Sequence, residues 1–172
     1  MKNFTLVLCF LFLGNLLFSQ DNKYVGATKC KMCHNGEDKG NQFTKWTESL
    51  HSKAFATLKG PEAMAYGKAH NIADPSKEPK CLKCHATAYG VDAGLIAGLT
   101  MEEGVSCETC HGPGSAYKSI PVMKDHAQAL KNGLIIPTEA TCKKCHNPES
   151  PNYKPFDFAK YAQKIAHPRP KK

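Results

Sequence analysis

The chain has 172 residues, with 23 Lys and Arg against 15 Asp and Glu, and a formal charge of +8. Its apolar content is 41% and its mean hydropathy −0.43, which excludes multiple membrane spans. Nine cysteines and eight histidines argue against disorder and imply a bound inorganic or organic core. Thirteen Gly and eleven Pro point to a loop-rich chain of one domain's length.

Residues 1–20 have the layout of a secretory signal peptide. Met1-Lys2-Asn3 is a short basic start, Phe4 to Phe18 is almost wholly apolar, and Ser19-Gln20-Asp21 returns to polar sequence. The apolar stretch is too short to span a bilayer comfortably, and cleavage is expected near Gln20. An uncleaved N-terminal anchor is the alternative. Cys9 lies within the apolar run, with Leu8 before it and apolar residues after, which argues against a lipoprotein. Residues 21–172 are then one exported domain with a formal charge of +7, since only Lys2 is lost.

The eight cysteines that remain fall into four pairs of one spacing: Cys30/Cys33, Cys81/Cys84, Cys107/Cys110 and Cys142/Cys145. Disulfides, zinc sites and redox dithiols all use such pairs. The next residue decides. His34, His85, His111 and His146 each follow the second cysteine directly. C-x-x-C-H is the attachment sequence of c-type haem. Cysteines at i and i+3 lie on one side of a helical turn and can bond one porphyrin edge, while the histidine at i+4 reaches the iron from that side. The four motifs are numbered here in chain order, and their haems with them.

Four histidines are left as candidate distal ligands. His51 falls within an apolar arc of Phe43, Trp46, Leu50, Ala54 and Leu58, so the spacing predicts one helix from Gln42 to Lys59, ended by Gly60-Pro61. His70 follows a short helix that begins at Pro61, and reads equally as a surface histidine or a ligand. Thr100-Met-Glu-Glu103 has capping-box form and is expected to start a short helix leading to Cys107. His126 belongs to a helical stretch from Pro121 to Asn132 and shares a face with Val122, Ala129 and Leu130; a solvent-facing histidine is the alternative. His167 follows an amphipathic run of Phe158, Tyr161, Ala162 and Ile165, and Pro168 removes it from helical geometry. Met32, Met64, Met101 and Met123 read as packing, given four spare histidines.

Gly26-Ala-Thr-Lys-Cys30, Trp46-Thr-Glu-Ser-Leu-His-Ser-Lys-Ala54 and Leu99 to Gly114, with Gly104-Val-Ser-Cys-Glu-Thr-Cys-His-Gly-Pro-Gly114 inside it, resemble the tetrahaem cytochrome c-554 family. The likeness covers nearly the whole chain after residue 20. It implies a mainly helical, loop-rich fold with little or no sheet, wrapped around four stacked haems. It also implies distal ligands crossed between motifs: His51 with His111 on haem 3, and His126 with His34 on haem 1. The family's second haem has no protein sixth ligand, which would leave His85 alone. Two departures stand out. Pro137 to Thr141 holds no histidine before the fourth motif, so His167 becomes the substitute on haem 4. His70 lies upstream of the second motif and could close haem 2.

Eight propionates and four ferric cores would bring the oxidised holoprotein near +3 and the reduced form near −1, so Lys31, Lys83, Lys143 and Lys144 are expected to solvate propionates. Arg169 is the only arginine, and no basic stripe with interleaved aromatics suggests nucleic acid. The expected function is electron transfer in the periplasm between redox partner proteins, with association to a membrane respiratory complex as one setting. The competing reading is a small reductase of nitric oxide, nitrite or hydroxylamine acting at a five-coordinate haem.

Overall fold

A computed structural model describes residues 21–167; the signal-peptide expectation for residues 1–20 lies outside them. The described chain is ten short α-helices and three 3-10 turns joined by loops. The helices are α1 (Ala27–His34), α2 (Gln42–Glu48), α3 (Ala54–Thr57), α4 (Pro61–Ala69), α5 (Pro79–His85), α6 (Cys107–His111), α7 (Ile120–Lys124), α8 (His126–Lys131), α9 (Glu139–Lys143) and α10 (Phe158–Ile165). A single parallel bridge, Tyr24 to Ile96, is the strand pairing among the described residues. The mainly helical, loop-rich class expected from the sequence is therefore the class found. No helix of the described residues is long and apolar enough to cross a membrane.

Local chemistry sets the short lengths. Pro61 and Pro79 stand in the first turns of α4 and α5, where a missing N–H costs nothing. Asp157 accepts from Lys160 N to cap α10, and Ser106 accepts from Glu108 N to cap α6.

Three expected elements differ from this architecture. The helix expected over Gln42 to Lys59 breaks into α2 and α3. Ser49 adopts an extended backbone, its hydroxyl donates to Trp46 O, and the Ser52 hydroxyl donates to Thr47 O and Ser49 O. These hydroxyls offer the backbone an alternative to helix and hold His51 in a turn. Leu50, expected on the apolar arc, is 82% exposed. The stretch from Pro121 to Asn132 likewise splits at Asp125, whose carboxylate accepts from Gln128 N and starts α8 afresh at His126. Thirdly, Thr100 makes no side-chain cap. Met101–Glu103 is a 3-10 turn stopped by Gly104 at φ +61°, and α6 starts separately at Ser106.

The polypeptide's own core is thin. Phe55, Leu58, Leu82 and Ala86 form a cluster of buried residues, with Cys81 and Met101 packed against it, so α3, α5 and the Met101–Glu103 turn meet there. Nine apolar side chains are buried among the described residues. A second set of ties is polar. Trp46 Nε1 donates to Val105 O at 2.9 Å, and Val105 N donates to His51 O at 2.9 Å, which clamps the His51 turn to the segment entering the third motif. Gly104 makes this possible, because a Cβ there would stand 2.7 Å from His51 O.

Candidate haem centres

Motifs 1, 2 and 3 are built wholly within α1, α5 and α6. In motif 4 the helix stops at Lys143, yet His146 N still donates to Cys142 O at 3.0 Å, so the helical placement of Cys142 and His146 is kept. Each of the first three motif histidines has its Nδ1 held by an oxygen. His34 faces Gln42 Oε1 at 3.3 Å, His85 faces Ala54 O at 2.7 Å, and His111 faces Ile135 O at 3.0 Å. A ring that donates from Nδ1 presents Nε2 as a lone pair, and this is the arrangement that orients metal-ligating histidines. His146 is oriented differently. Phe156 stacks on it at 4.9 Å and 21°, and Tyr161 stacks on Phe156 at 5.3 Å and 12°.

Two distal candidates meet motif histidines. The rings of His51 and His146 are 6.0 Å apart at 73°, and those of His111 and His167 are 5.9 Å apart at 69°. Two imidazoles bound to one metal at about 2 Å per nitrogen hold their ring centres roughly 6 Å apart, so both pairs have the spacing of ligands on a shared iron. Burial pushes His51, His111 and His146 below the ordinary imidazole range, which favours the neutral ring that ligation requires. This pairing differs from the one implied by the family resemblance: His51 stands against the fourth motif rather than the third, and His167 against the third rather than the fourth.

The other two candidates lie at exposed helix ends. His126 is the first residue of α8. His70 ends α4 and stacks on Tyr66 at 4.1 Å and 26°. Of the methionines, Met101 packs on the core cluster, whereas Met32 is 75% exposed and Met64 is also exposed, contrary to a packing role for those two.

All eight described cysteines are unpaired, so they form no disulfide framework. Among the described residues no group of three or more His, Cys, Asp or Glu side chains is placed to hold a metal ion, which leaves the zinc alternative without a tetrahedral site. The sulfurs instead juxtapose motifs. Cys30 interacts with Cys107 and Cys84 with Cys145, and Cys110 lies near Cys142. Three of the four lysines expected at propionates have protein partners. Lys83 pairs with Glu149, Lys143 with Glu139 at 2.7 Å, and Lys31 sits over the Phe43 ring at 5.3 Å.

The family model described as cytochrome c554 and c-prime matches residues 29–112, which contain the first three motifs. The chain is also 28% identical over 143 residues to cytochrome c-554 of Nitrosomonas europaea, an alignment that covers 73% of the present chain and 58% of that relative. It thus spans a little over half the relative's length. Both matches support a protein of the cytochrome c-554 family. No solved structure matches the chain. The family likeness implies a c-type cytochrome with haem c as its cofactor, and the neighbouring motif sulfurs, the histidines held at Nδ1 and the paired imidazoles fit that group. Two contributors escaped the sequence reading. Phe156 had no periodic signal. Glu108 did have one, as the single acid between the two cysteines of any motif.

Proposed function

We propose that this cytochrome is an exported tetrahaem carrier that passes electrons between redox partner proteins in the periplasm. The observation that carries the reading is the juxtaposition of motif sulfurs, Cys30 with Cys107, Cys110 near Cys142, and Cys145 with Cys84. It supports a spatial order of motifs one, three, four, two, a single file in which no motif stands apart. Haem c, when bound, supplies a one-electron iron couple. The chain supplies the rest. Cys30, Cys33, Cys81, Cys84, Cys107, Cys110, Cys142 and Cys145 tether the four groups. His34, His85, His111 and His146 ligate from the motif side. His51 joins His146, His167 joins His111, and His126 remains the candidate opposite His34. Docking of donor and acceptor at exposed edges would be of the small, transient kind usual for redox encounters.

His70 bears on a second reading. Its stacking on Tyr66 at an exposed helix end favours an iron at motif 2 held by His85 alone, where nitric oxide, nitrite or hydroxylamine could bind. One preparation tests both readings. The periplasmically matured protein should contain four haems per chain by pyridine haemochrome, and carbon monoxide should shift about one quarter of the reduced Soret intensity. Fewer than four haems would overturn the tetrahaem carrier. An unmoved spectrum would place a ligand on every iron and remove the reductase.

A further inference from the structure

Glu108 is the most deeply buried charged side chain of the described residues, at 2% exposure. The residues between the cysteines of the other motifs are Lys31-Met32, Leu82-Lys83 and Lys143-Lys144; only the third motif places an acid there. Glu108 Oε1 accepts from Val25 N at 2.9 Å and from Gly114 N at 2.7 Å, and Oε2 accepts from Gly26 N at 2.8 Å. Three donors and no acceptor face the carboxyl group, the pattern suited to its ionised form. Beside it, Glu103 Oε2 accepts from Ala27 N at 3.0 Å.

Gly26 is the N-cap of α1 and Ala27 its first residue, so the two acids satisfy N–H groups at the positive end of the helix that carries Cys30, Cys33 and His34. Two glycines keep the space open. A Cβ on Gly114 would stand 3.1 Å from Glu108 Oε1, and one on Gly26 would stand 2.8 Å from Glu103 Oε1. Both carboxylates act electrostatically on Cys30, and Glu103 on Cys107 as well, so the charge lies at the junction of motifs 1 and 3.

We propose that Glu108 is a fixed negative charge that joins the first and third attachment segments and makes the haems there harder to reduce. The inference rests on the reading of these motifs as haem-bearing. A ferric haem core carries one more positive charge than a ferrous one, so a nearby anion in a poorly screened interior favours the oxidised state. Glu108 is a positioning residue in this scheme, acting on the irons through space and through the segments it joins.

The test is a potentiometric titration of the matured holoprotein, with haem counted in every variant. Glu108→Gln keeps the side chain's shape and removes its charge. Two of the four potentials should rise, each by about tenfold in the reduction equilibrium, or about 59 mV for a one-electron couple, while the other two stay in place. Glu108→Asp keeps the charge and disturbs the bonds, and should leave all four potentials close to wild type even where stability falls. No shift in Glu108→Gln, an equal shift of all four haems, or the same shift in Glu108→Asp would overturn the proposal. If Glu108→Gln does not mature with four haems, Glu103→Gln carries the test. Measured on the alkaline side of its titration, where Glu103 is ionised, it should raise the same two potentials by a smaller factor, and no rise there overturns the proposal. A wild-type protein with fewer than four haems counts against the tetrahaem reading, whatever the variants do.

Discussion

The imidazole of His51 faces that of His146 at 6.0 Å and 73°, although one lies in the turn between α2 and α3 and the other follows α9. The contact joins the segment that enters motif 3 to motif 4, because the same turn is bonded through His51 O to Val105 N.

Ligation by His51 predicts a specific optical change. His51→Ala should open the iron of motif 4, so that carbon monoxide shifts about one half of the reduced Soret intensity where the wild type shifts about one quarter. Equal shifts in variant and wild type would show that His51 is not a ligand.

Gly104 should tolerate no side chain. It sits at φ +61°, and a Cβ would meet His51 O at 2.7 Å and both Ser52 O and Ala54 N at 3.1 Å. Gly104→Ala is expected to destabilise the holoprotein by about 1–3 kcal/mol and to displace the His51 turn. Chemical denaturation reads the first effect and the carbon monoxide spectrum the second.

The Trp46 indole holds the same junction with one hydrogen bond, Nε1 to Val105 O. Trp46→Phe keeps most of the ring and removes the donor, so a loss of about 1 kcal/mol is expected in denaturant unfolding. A change near zero would mean that water replaces the indole without penalty.

Glu103 gives the fold a pH dependence with a definite sign. Burial pushes its carboxyl above the ordinary range, Glu108 adds to the shift, and the Ala27 N–H opposes it. A carboxyl raised in the folded state contributes stability that is fully present below its ordinary, unfolded value and is lost as pH rises through the raised one. Glu103→Gln lacks this titration. Its stability relative to wild type should therefore improve between acidic and neutral pH, and parallel pH profiles for the two proteins would count against it.

Removal of haem should remove the fold. Phe55, Leu58, Leu82 and Ala86 are too few to bury helices of four to nine residues, and helices this short are marginal alone. Chain produced without haem attachment is expected to show no cooperative thermal transition by circular dichroism. A sharp melt would show that the polypeptide has a sufficient core of its own.

Along the chain, the four attachment motifs were readable because they rest on local spacing, whereas the mainly helical class was implied by the family resemblance. Cysteines three apart and a histidine one further share a helical face wherever they occur, and Pro61 marks a helix start by its own backbone chemistry. The boundaries around His51 and His126 were not readable in the same way. Apolar periodicity runs straight through Ser49 and Asp125, while the hydroxyls of Ser49 and Ser52 and the carboxylate of Asp125 bond back to nearby backbone and interrupt the helix. Which histidine faces which, and where Glu108 points, was decided only by tertiary structure. Those contacts join residues far apart in sequence, and they follow from how the loops return across one another, a geometry that no local period encodes.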